Sequence, residues 1–248
     1  MRRIALTSLL MSLIVSFPAH AITNGTRDGN AHPNVGGLVA STQYSDGTWL
    51  YCSGTLISPR IFLTAAHCGT AGERVRVTFD TAYVAGDKVY SGVFKPDPAY
   101  TQAQSDTHDI AVVVLDKAVK GITPARLPAA GSLSKLSGSQ KFVSVGYGAY
   151  EVTNGPGGHQ YLYDDVRMKA MGTLNLINPT WLRISMNPST GDGGTCYGDS
   201  GGPNFLGTSN IIASITITGD AVCRATNVTY RLDTPSARNF LKQYVTLP

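Results

Sequence analysis

Cys196-Tyr197-Gly198-Asp199-Ser200-Gly201-Gly202-Pro203 sets one serine among glycines, so both its hydroxyl and its backbone N–H stay open to a reacting group. A serine alone is a weak nucleophile. It needs a base to take its proton and a carboxylate to orient that base. Leu63-Thr64-Ala65-Ala66-His67-Cys68 offers the base, His67, and Asp109-Ile110-Ala111-Val112-Val113-Val114-Leu115 offers the carboxylate, Asp109. An esterase with a nucleophile elbow carries its triad in the order serine, acid, histidine, whereas here the order is histidine, aspartate, serine.

Those three ordered segments resemble the trypsin/chymotrypsin-like serine proteases, and the resemblance extends over nearly all of the chain after its first residues. It implies two six-stranded antiparallel β-barrels with the active site between them, and hydrolysis of peptide bonds through an acyl-enzyme. A protease-fold protein that binds a partner without catalysis is the alternative. The presence of His67, Asp109, Ser200, Gly198 and Asp199 together argues against it.

Met1-Arg2-Arg3, the apolar run Ile4 to Phe17, Pro18 and Ala19-His20-Ala21 read as a secretory signal over residues 1–21, since the run is shorter than the roughly 20 residues of a membrane span. The expected product is a secreted or periplasmic domain, 22–248, with no membrane association once the signal is removed. Arg2 and Arg3 leave with the signal, so the formal charge falls from +4 to +2, too little to predict a nucleic-acid partner. Protein or peptide substrates are the expected partners, with a protein inhibitor as a further one and a monomer as the expected state.

Short β-rich runs alternate with Gly, Pro, Asn and Asp turns: Val35 to Val39, Arg74 to Phe79, Ile110 to Leu115, Lys141 to Val145, Ile211 to Ile217. That spacing predicts an all-β sandwich or barrel, and the resemblance selects barrels. A crossover falls between Thr123 and Gln140, dividing a first barrel at about 22–130 from a second at about 131–233. Thr234 as cap, Pro235 in the first turn and Phe240, Leu241, Tyr244 and Val245 on one face predict a C-terminal helix over about 235–245, packed on the second barrel.

Four cysteines in an exported chain predict two disulfides, and residues alone allow three pairings. The resemblance implies Cys52 with Cys68 and Cys196 with Cys223. It also implies an oxyanion hole from the backbone N–H groups of Gly198 and Ser200, and a receptor role for Asp199. A buried carboxylate needs a partner. The resemblance supplies the ammonium of a processed N-terminus, here Ile22 in Ile22-Thr23-Asn24-Gly25, which follows Ala21 directly. Cleavage of the signal would then itself activate the enzyme. A glycan on the Asn24-Gly25-Thr26 sequon would obstruct that burial, so the sequon is expected to stay unused.

The primary pocket is expected from Gly194, Thr195, Ser214, Ile215, Thr216 and Asn227. The resemblance puts Gly194 at the base, where trypsin-like specificity would need an acid, and Asp192 lies two residues away. The expectation is cleavage after small or medium uncharged residues. His108 is read as structural, and His32 and His159 as turn residues. Glu73 and Asp80 are the nearest carboxylates to a calcium loop of the family. Two separated acids are a weak set, so neither metal nor cofactor is expected.

Overall fold

A computed structural model describes residues 22–102 and 105–248. The signal-peptide expectation lies outside the described residues. A two-residue strand, β1 (Thr26–Arg27), is followed by β2 (Val35–Val39), β3 (Leu50–Ser58), β4 (Ile61–Thr64), β5 (Arg74–Thr78), β6 (Tyr90–Pro96) and β7 (Ala111–Leu115). The last six close a barrel in the order β2-β3-β4-β7-β6-β5. Their short runs of Val, Ile, Leu and Phe suit a pleated, buried surface, and closure leaves no long unpaired edge.

Residues 116–140 cross over, turning at Gly131 into a 3₁₀ turn, Ser132–Lys135. The second half contains β8 (Lys141–Gly146), a hairpin of β9 (Glu151–Gly155) and β10 (Gly158–Leu162), and then β11 (Met168–Ile177) and β12 (Trp181–Ser185). β13 (Pro203–Leu206), β14 (Ile212–Gly219) and β15 (Thr226–Arg231) follow. Pairing runs β11-β12-β15-β14-β13-β8, and β8 pairs back to β11, closing the second barrel. All of these pairings are antiparallel.

Two expectations need correction. β1 belongs to the second barrel, where Thr26 and Arg27 pair with Lys169 and Met168 of β11. The chain before β2 therefore straps the second half before it builds the first. The C-terminal helix, α1 (Pro235–Leu241), is also shorter than the apolar periodicity suggests. Thr234 Oγ1 caps it by accepting from the Ala237 N–H at 3.3 Å, with Pro235 in the first turn. Tyr244 and Val245 continue only as a turn, both donating to Leu241 O. Ala237, Phe240 and Leu241 join an apolar cluster that contains Phe62 and Phe94 of the first barrel as well as Ile215 and Tyr230 of the second. The helix thus packs into the core the two barrels share.

Arg167 docks the halves in register. Its guanidinium is fully buried, pairs with Asp28 at 3.2 Å, and donates to the carbonyls of Val35, Phe79 and Gly29. A buried charge is tolerated because its donors are satisfied.

Candidate active site

Strand pairing brings the histidine and the aspartate together. Thr64, at the end of β4, lies opposite Ala111, at the start of β7. The next turn after β4, Ala66–Cys68, carries His67, and the residues just before β7 carry Asp109. Asp109 is buried and holds the histidine twice: Oδ1 accepts from the His67 backbone N–H at 3.0 Å, and Oδ2 from Nδ1 at 2.7 Å. A carboxylate only accepts, so Nδ1 carries a proton, and in the neutral ring Nε2 keeps its lone pair. That nitrogen belongs to a ring lining the same cleft as Ser200. His108, next in the chain to Asp109, binds Asp97 at 3.0 Å instead. His32 binds Asp28, and His159 binds Asn154.

The Ser200 loop is fixed by a disulfide and by a serine of the first barrel. Cys196 is bonded to Cys223, as Cys52 is to Cys68. Ser53, on β3, reaches across the barrel interface: its N–H donates to Ser200 O at 2.8 Å and its hydroxyl to Gly198 O at 2.9 Å. The same hydroxyl accepts from the Tyr147 N–H at 3.0 Å. Sequence reading missed Ser53, since an isolated serine within a strand carries no signal. Gly198 has φ of +94°, a conformation that favours glycine, and a Cβ there would lie 2.9 Å from Gly148 Cα. Among the described residues the N–H groups of Gly198 and Ser200 donate to no protein acceptor.

Asp199 points away from the cleft into the protein. It is fully buried, with Oδ1 accepting from the Gly148 N–H and Oδ2 from the Cys196 N–H, each at 2.8 Å. Burial pushes its carboxyl up to about 7 although both N–H bonds act in the opposite sense. Gly146 and Gly148 leave room for it, since a Cβ on either would fall within 2.5 Å of a carboxylate atom. Ile22 is buried against Met168 and Ala170. Thr23 pairs with Gly194, and its hydroxyl donates to Cys223 O at 2.6 Å.

The cleft encloses about 700 Å³. Its walls place the expected pocket residues unequally. Thr195 and Thr216 line it, whereas Gly194, Ser214, Ile215 and Asn227 do not. Ser214 and Ile215 are fully buried because β14 is there flanked on both sides, by Asn204 and Pro203 of β13 and by Arg231 and Tyr230 of β15. Beyond Thr216 the strand outruns β13, and a register shift at Thr216/Thr218 re-aims it. Ile217, Thr218, Gly219 and Asp220 form the cleft wall instead. Asn227 sits behind that wall, opposite Gly219 and in contact with Thr216.

Asp192, the acid nearest the expected base of the pocket in the sequence, does not line the cleft. Asp192 is buried and occupied by Lys141, Thr173 and Thr190. A Cβ on Gly194 would lie within 2.4 Å of Met186 Cγ and Sδ, so that thioether packs directly against Gly194. Two carboxylates line the cleft, Asp46 and Asp220, both unforeseen. Asp220 accepts from the backbone N–H groups of Arg224, Ala225 and Thr226, and these hold its carboxyl below the usual range against the opposing effect of burial. Glu73 accepts from the Thr70 N–H and Asp80 from the Thr78 hydroxyl, and neither belongs to a cluster of three metal-ligating groups among the described residues. The one such cluster, Cys52, His67 and Cys68, consists of a disulfide and the histidine already held by Asp109.

Comparison with known proteins places this arrangement in context. The family model described as Trypsin matches residues 25–241. Alkaline trypsin C of Manduca sexta is 27% identical over 225 residues, covering 82% of this chain and 84% of the relative. Chymotrypsin of Phaedon cochleariae is 29% identical over 205 residues, covering 76% and 69%. Granzyme M of Homo sapiens is 25% identical over 185 residues, covering 69% and 70%. Among solved structures, HL collagenase superposes with a TM-score of 0.68 over 90% of this chain and 97% of its own, at 19% identity.

Proposed function

Because the chain belongs to the trypsin family and is a serine-type endopeptidase, we propose that Ser200 attacks the carbonyl of a peptide bond with His67 as its base and Asp109 as the group that orients it. The observation carrying this reading is the doubly bonded Asp109–His67 pair, which opens onto a cleft it shares with Ser200 and two unengaged N–H groups. The Ser200 hydroxyl loses its proton to Nε2 as its oxygen bonds to the carbonyl carbon. The developing oxyanion is received by the N–H groups of Gly198 and Ser200. The same proton then passes from the imidazole to the departing amine as the peptide bond breaks. Water, deprotonated by His67, next releases the acid product and restores the serine.

Substrate would lie along the free edge of β14, where residues 217–219 have no strand partner on the side away from β15. Backbone pairing there is sequence-neutral, so side-chain selection falls to the primary pocket. With Asp192 occupied elsewhere and no side chain on Gly194, that pocket suits small or medium uncharged residues. The enzyme acts outside the cytoplasm, in keeping with two disulfides.

Activation couples to processing. Release of the chain at Ile22 would supply an ammonium for the buried Asp199 carboxylate and thereby brace the Gly198–Ser200 loop. N-terminal sequencing of the exported protein tests this directly, and a start anywhere but Ile22 overturns it. A fluorophosphonate tests the chemistry. The expected result is a single adduct on Ser200, absent in His67→Ala, and a folded protein that takes no label would instead favour a silent binder.

A further inference from the structure

Among the described residues the cleft is lined by two carboxylates, Asp46 and Asp220, and by no lysine or arginine. Arg74 and Arg76 line a separate depression that shares Tyr44 and Tyr51 with the cleft, and there Arg74 pairs with Asp116 and Arg76 donates to Ala40 O. The two cleft acids stand on opposite walls. The Ser200 loop runs between β3 and β14, since the Ser53 N–H donates to Ser200 O and the Gly201 N–H to Thr216 O, each at 2.8 Å. Leu50, Tyr51 and Cys52, which precede Ser53, therefore line the cleft on one side of the serine. Ile217, Thr218 and Gly219, which follow Thr216, line it on the other, and Asp220 continues them. Asp46 lies in the 40–49 connection that leads into β3. With the half of the substrate before the cleaved bond along β14, the departing half extends toward the wall that carries Asp46.

Asp46 is exposed but held in place. Its Oδ1 accepts from the Thr48 N–H at 3.0 Å and from the Thr48 hydroxyl at 2.7 Å, while Oδ2 has no protein donor among the described residues. Two tyrosines of the cleft sit in its field. Burial raises the phenols of Tyr44 and Tyr163, and in each the Asp46 charge adds to the rise. Tyr163 also borders the reacting groups, because a Cβ on Gly198 would lie 3.5 Å from its Cε1. A guanidinium or ammonium completes such a wall: it donates to Oδ2, balances the carboxylate and is attracted to the faces of the phenol rings. A carboxylate on the substrate would meet a like charge there with no cation to relieve it. We propose that Asp46, with Tyr44 and Tyr163, is a specificity-determining residue that selects arginine or lysine among the residues just after the cleaved bond. This rests on the reading of the protein as an endopeptidase.

The test is a set of internally quenched peptides hydrolysed by the exported protein, all sharing the best of Ala, Val and Leu before the scissile bond. Each of the first three positions after that bond carries in turn Arg, Glu or citrulline, which keeps the shape of arginine without its charge. Because Asp46 is exposed, Arg should exceed citrulline by about 3- to 5-fold in kcat/KM at its best position, with Glu below citrulline by a similar factor. Both differences should shrink toward unity at about 1 M salt, where charges are screened within about 3 Å. Asp46→Asn should bring the Arg-to-citrulline ratio below about 2-fold, and Asp46→Lys should place Glu above Arg, with fluorophosphonate labelling of Ser200 reporting an intact site in each. A ratio below about 2-fold in the unmodified protein, or one that persists in Asp46→Asn or at high salt, overturns the proposal and leaves the endopeptidase reading standing. Failure of the unmodified protein to cleave any peptide or to label at Ser200 overturns the endopeptidase reading itself.

Discussion

On the first barrel, His67 and Asp109 are joined by two hydrogen bonds at the ends of paired strands, next to a disulfide that closes on Cys68. On the second, Gly198 and Ser200 ride on a loop wrapped round Asp199, whose fully buried carboxylate has two N–H donors and no cationic partner among the described residues. The first wall is completed by folding alone. The second retains a buried acid whose charge no cation among the described residues balances, and such a group is where stability and activity become conditional on a new partner. On the proposed reading, the base is set by strand register and the nucleophile loop by electrostatics.

The largest test of that contrast is Asp109→Asn. Turning the carboxylate into an amide changes which imidazole nitrogen is protonated, and kcat should fall by about 10⁴-fold, the size this change has in the general triad template, itself drawn from this protein family. Peptide hydrolysis measures it, and a fall below tenfold would mean that strand pairing rather than Asp109 holds the histidine. Asp199→Asn should cost less, about 10²–10³-fold, comparable to losing one oxyanion donor, because it loosens the loop without touching the base. Rates of fluorophosphonate labelling should fall with it. Equal losses in the two variants would erase the distinction between the walls.

The smallest effect is on stability against pH. In a chain still extended beyond Ile22, Asp199 has a folded pKa of about 7 against an unfolded value of 3.8, so the folded state keeps its proton longer. Its contribution is full below about 4 and declines as pH rises toward about 7. In a chain beginning at Ile22, an ammonium beside the carboxylate would reverse the sign, and stability would be lost as pH falls. Melting temperatures of the two forms across pH 4 to 8 should diverge in slope. Parallel curves would show that Ile22 and Asp199 do not meet.

Much of this was legible in the chain itself. His67, Asp109 and Ser200 sit in segments whose residue types already state their chemistry, and Thr234-Pro235 announces a helix start through local capping alone. The wall of the pocket was not legible. Ser214-Ile215-Thr216 and Ile217-Thr218-Gly219 are both β-formers, and only the end of β13 beside Pro203 separates a strand segment paired on both sides from one with an open edge. The attachment of β1 to the second barrel was equally hidden, since two residues carry no periodicity. Apolar spacing also overran the end of α1, because Tyr244 and Val245 bury in part from a turn as well as they would from a helix.

By itself the sequence determined the proposed reacting groups, their order, the cysteines available for bridging and the all-β architecture, because each depends on residue type and local period. The tertiary structure alone decided which polar groups are already occupied. Asp192 is withdrawn by Lys141 and Thr173, Asp199 has no cation among the described residues, and the N–H groups of Gly198 and Ser200 are left without a protein acceptor among them. Hydrogen-bond capacity is local, but its satisfaction depends on partners brought from distant parts of the chain, so only the assembled barrels show what remains for a substrate.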